Sequence, residues 1–300
     1  MFASGQTTRI EVDGIGLNLF IKGEGPPLLL LHGWTNNWQI WQPLADHLAQ
    51  QFQLILVDMP GFGHSDRLDS YSMSRCIQLL DGLMKQLDVE RPAVAGLSLG
   101  SFVAAHMAEQ HADQFGDIIL VGPILRGRKK QMIQRILRLC QLLPPLGWFM
   151  TRTIKSPWSG YIMERFVNSR EYDPEMTSRF RSLGRREFSQ QAYVDFGSAC
   201  FEVDVEKAIV QSRRRVMLVY GDNDKHAKPE RLARLAAQRD GVRVACIPGA
   251  AHNSPFEAPK ATAIAFAEFL TSRERDPAPD NLLEPTALIE VSERVVQVVE

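Results

Sequence analysis

The segment Gly96-Leu97-Ser98-Leu99-Gly100 constrains this chain more than any other. It follows the apolar run Pro92-Ala93-Val94-Ala95 and precedes Ser101 to Gln110, which reads as a helix. A strand that enters a helix through so short a link must turn tightly. The central backbone is then strained, and only small neighbours fit around it. Gly96 and Gly100 are a steric requirement of that turn. The strain lifts the Ser98 hydroxyl above the sheet edge, within reach of a base and a substrate. A loop serine beside two ordinary turn glycines would show the same pattern. Context separates the readings, because the tight turn needs a strand before it, a helix after it, and an acid and a histidine further along in that order. The chain supplies all of these.

Short apolar runs recur on both sides of the turn. Arg9 to Val12 and Leu17 to Lys22 flank Asp13-Gly14, a hairpin signal. Leu28 to His32 is a continuous apolar run, the mark of a strand buried on both faces. Leu54 to Asp58, Asp117 to Val121, Val216 to Tyr220 and Val242 to Ile247 repeat the pattern. Trp38 to Gln50 and Met73 to Leu87 have helical spacing. Strands alternating with helices predict an α/β fold with a doubly wound, mostly parallel sheet. At 300 residues and 45% hydrophobic content, the chain suits one large domain of this kind with an insertion.

The alternation breaks between Ile124 and Glu206, where helical spacing is punctuated by Pro144-Pro145, Pro157 and Pro174 without a clear strand. We read residues 124–206 as a helical lid inserted into a core formed by 1–123 and 207–272. Residues 273–300 read as a linker, marked by Asp276-Pro277-Ala278-Pro279-Asp280, and a tail. The apolar end of that tail, Thr286 to Val299, suits helix and strand equally. Cys76, Cys140, Cys200 and Cys246 lie far apart and read as reduced, mostly buried thiols rather than disulfides or a metal site. Met1 to Thr8 lacks the apolar core of a signal peptide, and no apolar run reaches the ~18 residues that span a bilayer. The expectation is a soluble, cytoplasmic protein. A net charge of −1 singles out no partner, and nucleic acid is not expected.

Three further segments bear on chemistry. Leu28 to Leu31 ends in His32-Gly33-Trp34, a turn that can aim the backbone N–H of Trp34 at the space above Ser98. The N–H of Leu99 supplies a second donor, and two such groups fixed on a developing oxyanion strongly favour acyl transfer. The His32 imidazole itself is assigned to hydrogen bonding of loop backbone. Val216 to Tyr220 runs into Gly221-Asp222-Asn223-Asp224, and an acid leaving a strand end is placed to hold a histidine. Asp224 is preferred, with Asp222 in reserve because it serves equally well as a turn former. Gly249-Ala250-Ala251-His252 follows the last of these strands, and a helix begins near Pro255. A neutral imidazole there can take the Ser98 proton while the acid fixes its tautomer. His47, His64, His106, His111 and His226 lack matching context and read as structural or solvated. No metal and no cofactor is expected.

From Arg9 to Leu270 the chain resembles the α/β-hydrolase superfamily. The resemblance rests on His32-Gly33-Trp34, Asp58-Met59-Pro60-Gly61-Phe62-Gly63-His64-Ser65, Gly96 to Gly100, Gly221 to Asp224 and Gly249 to His252, in that order. It implies a serine hydrolase with a lid between sheet strands, and a purely structural role for the loop from Asp58 to Ser65. The tract His32 to Ser65, with Trp34, Trp38 and Trp41, is similar to carboxylesterases of the pimeloyl-carrier-protein methyl ester type. One departure is Gly100-Ser101, where many relatives have two glycines; Ser101 is small enough to leave activity intact.

The resemblance implies hydrolysis of a carboxylic ester of an apolar or acyl substrate through an acyl-enzyme. Haloalkane dehalogenases and epoxide hydrolases of this fold need Asp where this chain has Ser98. C–C bond hydrolysis, thioester hydrolysis and perhydrolysis use the same triad. A non-catalytic ligand receptor is the reading from another class; retention of all three triad residues speaks against it. The lid adds a partner expectation. Arg126, Arg128, Lys129, Lys130, Arg135, Arg138, Arg152 and Lys155 occur with no Asp or Glu among them. They interleave with Met132, Ile133, Ile136, Leu137, Leu139 and Cys140 at helical spacing, then Leu142, Leu143, Trp148 and Phe149. Core packing beneath a solvated basic face is one account. A basic amphipathic face toward an anionic lipid surface, peripheral to a membrane, or toward an acyl carrier protein is the other.

Overall fold

The apolar runs become strands because each buries side chains on both faces. In β3 (Pro27–Leu31), Leu28 and Leu30 enter one core with Leu44 and Phe266, while Leu29 and Leu31 enter the other with Leu80 and Phe102. All four leucines of that run are fully buried, each worth roughly 1.5–3 kcal/mol relative to exposure. The computed structural model describes residues 5–156, 187–272 and 289–290.

β1 (Gln6–Val12) and β2 (Ile15–Lys22) form the hairpin expected at Asp13-Gly14, whose φ angles of 50° and 75° suit a tight two-residue turn. With β4 (Gln53–Val57), β5 (Ala93–Leu97), β6 (Ile118–Val121), β7 (Val216–Gly221), β8 (Val242–Ile247) and β9 (Ile289–Glu290), the described strands make one sheet in the order β1-β2-β4-β3-β5-β6-β7-β8-β9. The pairs β1–β2 and β2–β4 are antiparallel and the others parallel. This is the α/β, doubly wound, mostly parallel sheet read from the sequence. From β3 the chain first winds to β4 on one side and then to β5 on the other. The reversal opens a crevice at the carboxyl ends of β3 and β5.

Helices cover both faces. α1 (Gln42–Leu48), α2 (Met73–Gln86) and α3 (Leu99–Gln110) fall where helical spacing was read. The stretch from Trp38 is not one helix, however. Trp38–Trp41 is a 3₁₀ turn and α1 starts afresh, since Pro43 has no N–H to continue a helix from the preceding turn. The helix expected from Pro255 likewise divides into Ser254–Glu257 and Pro259–Thr271.

Between β6 and β7 the chain forms α4 (Arg128–Leu142), α5 (Pro144–Ile154), a π-helical turn at Ala192–Phe196, α6 (Gly197–Glu202) and α7 (Val205–Gln211). Pro157, Pro174, the linker and the tail other than Ile289–Glu290 lie outside the described residues. All four cysteines are free thiols. Burial pushes the Cys76 thiol up to about 12, which keeps it inert.

Candidate active site

Ser98 is the single residue between β5 and α3. Its backbone sits at φ 52° and ψ −103°, a conformation that costs a non-glycine residue about 1–3 kcal/mol. Three contacts hold it there. The Ser98 N–H donates to the Val121 carbonyl at 2.8 Å, and the Ser98 carbonyl accepts from the Ser101 N–H at 3.0 Å and the Ser101 hydroxyl at 2.5 Å. Ser101, the departure from the usual second glycine, therefore braces the turn. A methyl group on Gly96 would collide with the Gly100 carbonyl, and one on Gly100 with the Leu31 carbonyl. Leu99 opens α3, so its N–H has no intrahelical acceptor and lies at the positive end of the helix dipole.

The acid and the histidine arrive on the loops after β7 and β8. Asp224 is buried, and its Oδ2 lies 2.9 Å from His252 Nδ1. Its other oxygen accepts the His226 N–H at 2.8 Å, closing an Asx turn that aims the carboxylate. Burial alone would raise the Asp224 carboxyl. The hydrogen bond and charge of His252, with the His226 N–H, outweigh burial and hold it below the ordinary carboxylate range. Asp222, the reserve, is exposed.

His252 is fastened through its backbone neighbours. Glu257 accepts the N–H of Ala251 through one carboxylate oxygen and that of Asn253, at 3.3 Å, through the other. Gly122, at φ 56°, passes beneath the imidazole, where a side chain would press on the ring. His226, read as structural or solvated, packs at right angles to His252 with ring centroids 5.5 Å apart. Its position two residues after Asp224 was the one available sign. Burial, then the neighbouring His252 and Lys129, lower its pKa.

On the β3 side, His32 does what was expected of it. Its Nδ1 lies 2.8 Å from the Gly33 carbonyl, and its Nε2 accepts the Met59 N–H at 3.0 Å; burial lowers its pKa and keeps the ring neutral. Asp58 accepts from the Trp38 N–H, the Asn18 amide and the His64 N–H, which makes its loop a structural brace. The Trp34 ring stacks on Tyr193 at 4.3 Å and tilts toward Phe201 at 5.5 Å, tying the loop to the helices between β6 and β7.

A cavity of about 650 Å³ is lined by Gly33, Trp34, Ser98 and His252. Ile124, Leu125, Ile133, Ile154 and Phe201 make its walls apolar. Arg126, Arg128, Lys129, Lys225, Lys228 and Arg231 line it with positive charge, and no described carboxylate lines it. Two of these cations are paired behind the rim, Arg126 with Asp204 and Arg231 with Glu206. The uniformly basic face expected from Arg126 to Lys155 needs correction. Lys130 turns inward, donating to the Val203 carbonyl with its Nζ 5.1 Å above the Phe102 ring, and Arg138 pairs with Glu202. Arg135 stays exposed.

Comparison with known proteins agrees with this architecture. The family described as "alpha/beta hydrolase fold" matches residues 26–259. A pimeloyl-[acyl-carrier protein] methyl ester esterase of Vibrio vulnificus (strain YJ016) is 42% identical over 101 residues, 33% of this chain and only 38% of that relative's length. A thermophilic esterase from Thermogutta terrifontis superposes with a TM-score of 0.74 at 21% identity, over 88% of this chain and 98% of the other. The enol-lactonase from Burkholderia xenovorans LB400 gives 0.74 at 22% identity, over 88% and 100%. At those identities the two structures speak for the fold alone. The family match spans β3 to β8, the strained serine turn and both loops that bring Asp224 to His252, and the chain belongs to the α/β-hydrolase fold family.

Proposed function

We propose that this protein hydrolyses carboxylic esters of acyl substrates through an acyl-enzyme. The observation that carries the reading is the Asp224–His252 contact of 2.9 Å beside a cavity lined by both His252 and Ser98, the latter on its strained turn. In the proposed cycle Ser98 Oγ attacks the ester carbonyl and its proton passes to His252 Nε2. Asp224 holds Nδ1 protonated and stabilises the imidazolium. The N–H groups of Leu99 and Trp34 receive the oxyanion, and His252 returns the proton to the departing alkoxide. Water, activated by the same imidazole, then cleaves the acyl-enzyme and releases the acid.

The apolar walls suit an acyl chain, and the cationic rim suits an anionic group attached to it. The carrier-borne ester named for the Vibrio relative fits both features, and we propose an acyl group presented by an acidic carrier as one substrate form. Residues 124–206 act in this reading as a lid on a core of 1–123 and 207–272.

A panel of p-nitrophenyl and methyl esters of rising acyl length tests the reading. Ser98→Ala and His252→Ala are each to lose on the order of 10⁴-fold or more in kcat with the fold intact. A well-folded Ser98→Ala that turns over normally refutes the mechanism. Failure of the wild type to react with a fluorophosphonate would favour a ligand receptor instead.

A further inference from the structure

We propose that the outer face of α4 and α5 docks on an anionic lipid bilayer and inserts apolar side chains into it beside the cavity mouth. α4 carries two apolar stripes. Ile133, Leu137 and Cys140 pack inward against the core. Met132, Ile136, Leu139 and, just past the end of α4, Leu143 recur at helical spacing about 100° round from that stripe and are exposed. An ordinary surface helix buries its apolar stripe; this helix buries one and leaves a second, neighbouring stripe in water, with Gln131, Gln134, Arg135, Arg138 and Gln141 on its polar face. The adjacent α5 extends the patch, with Trp148 54% and Phe149 64% exposed, and Leu142 at the end of α4 is 78% exposed. Exposed apolar residues are usually scattered singly, and a contiguous set marks a binding face.

Charge identifies the occupant. Every charged side chain from Arg126 to Lys155 is basic. Helical geometry puts Arg128 and Arg135 along one flank of the outer stripe and Lys129 along the other. The Arg152 guanidinium lies 5.4 Å from the Trp148 ring centroid, a cation resting on an amphipathic ring as at a headgroup boundary. Among the described residues no carboxylate pairs with Arg128, Arg135 or Arg152, whereas Arg126 and Arg138 are engaged by Asp204 and Glu202. An acidic protein would meet the cations but would cover the outer stripe only where it carried an apolar patch of matching shape. A bilayer with anionic headgroups accommodates both. Arg128 and Lys129 also line the cavity, so the docked face adjoins its mouth.

The test is vesicle co-sedimentation of the full chain, comparing phosphatidylcholine vesicles with and without phosphatidylglycerol at low and high salt. Salt-sensitive binding to the anionic vesicles is expected. Lipids brominated on their acyl chains should then quench a fluorescence component that disappears in Trp148→Phe. The pair Arg128→Gln/Arg135→Gln is to lower partitioning roughly twenty-five-fold, at about fivefold per basic residue. The pair Leu139→Ser/Phe149→Ser is to lower it at least tenfold, about what loss of two inserted side chains implies. All four positions are exposed, so the thermal midpoint should hold. Absence of vesicle binding overturns the proposal. So does binding without acyl-chain quenching that survives Leu139→Ser/Phe149→Ser. Binding of these charges to an acyl carrier protein but not to vesicles overturns it in favour of a protein partner.

Discussion

Gly122 offers a clean way to disturb His252 without replacing any group proposed to react. It follows β6 directly, at φ 56°, with its N–H bonded to the Val219 carbonyl at 2.9 Å. A β-carbon there would lie 2.8 Å from His252 Cε1 and 2.9 Å from Nδ1. Ordinary contact begins near 3.4 Å, so in Gly122→Ala the ring must retreat by about 0.6 Å. That movement strains the 2.9 Å link to Asp224 and shifts Nε2 relative to Ser98. A misplacement of ~1 Å near reacting atoms costs on the order of 10²-fold, so a loss of roughly ten- to fiftyfold in kcat is expected. The left-handed backbone adds a stability cost of about 1–2 kcal/mol, a fall of a few degrees in thermal midpoint. Gly14→Ala is the control. Its φ of 75° imposes the same backbone strain, but nothing lies within 4 Å of the added carbon. It should therefore lose stability and keep kcat. Ester hydrolysis and thermal melting, measured on both variants, separate strain from ring displacement. A Gly122→Ala enzyme with wild-type kcat would refute the argument that this glycine positions the imidazole.

Two further outcomes follow from buried charges. Asp224→Asn is to lower kcat by about 10⁴-fold by imposing the wrong imidazole tautomer, while Asp222→Asn, at an exposed position, stays close to wild type. The reverse ranking in ester turnover would move the orienting role to Asp222. Burial, then the nearby charge of Arg126, pushes the Lys130 ammonium down to about 8. Between that value and the ordinary 10.5 the unfolded chain holds the extra proton, so stability contributed at this site rises with pH across the window. The thermal midpoint of wild type relative to Lys130→Met should therefore improve from below pH 8 to about pH 10. A flat or falling difference contradicts the assignment of Lys130 as a buried cation.

What the residues alone make legible here is governed by local sterics and by burial on two faces. The apolar runs from Leu28 and from Val216 announce strands because a strand covered on both sides tolerates little else. The two glycines around Ser98 announce the tight turn because any side chain there would meet backbone carbonyls a few residues away or on β3. Asp13-Gly14 and the prolines mark turns and helix starts for similarly local reasons.

Choices among equivalent groups belonged to the tertiary structure. Asp222 and Asp224 stand two residues apart on one loop, and only the hydrogen bonds of that loop to Ala250 and Gly221 bury one carboxylate against His252 and leave the other in water. Glu257 and Gly122 brace His252 with no spacing in the chain to advertise them, and His226 offered only its place two residues after Asp224. The apolar positions of α4 share one helical periodicity, yet the core accepts Ile133, Leu137 and Cys140 and turns Met132, Ile136 and Leu139 outward. Lys130 stands in a run of bases, but the Val203 carbonyl and the Phe102 ring draw it inward. Periodicity reports that a residue can be buried. Which neighbours close over it depends on contacts between segments up to more than a hundred residues apart, and those exist only once the sheet has assembled.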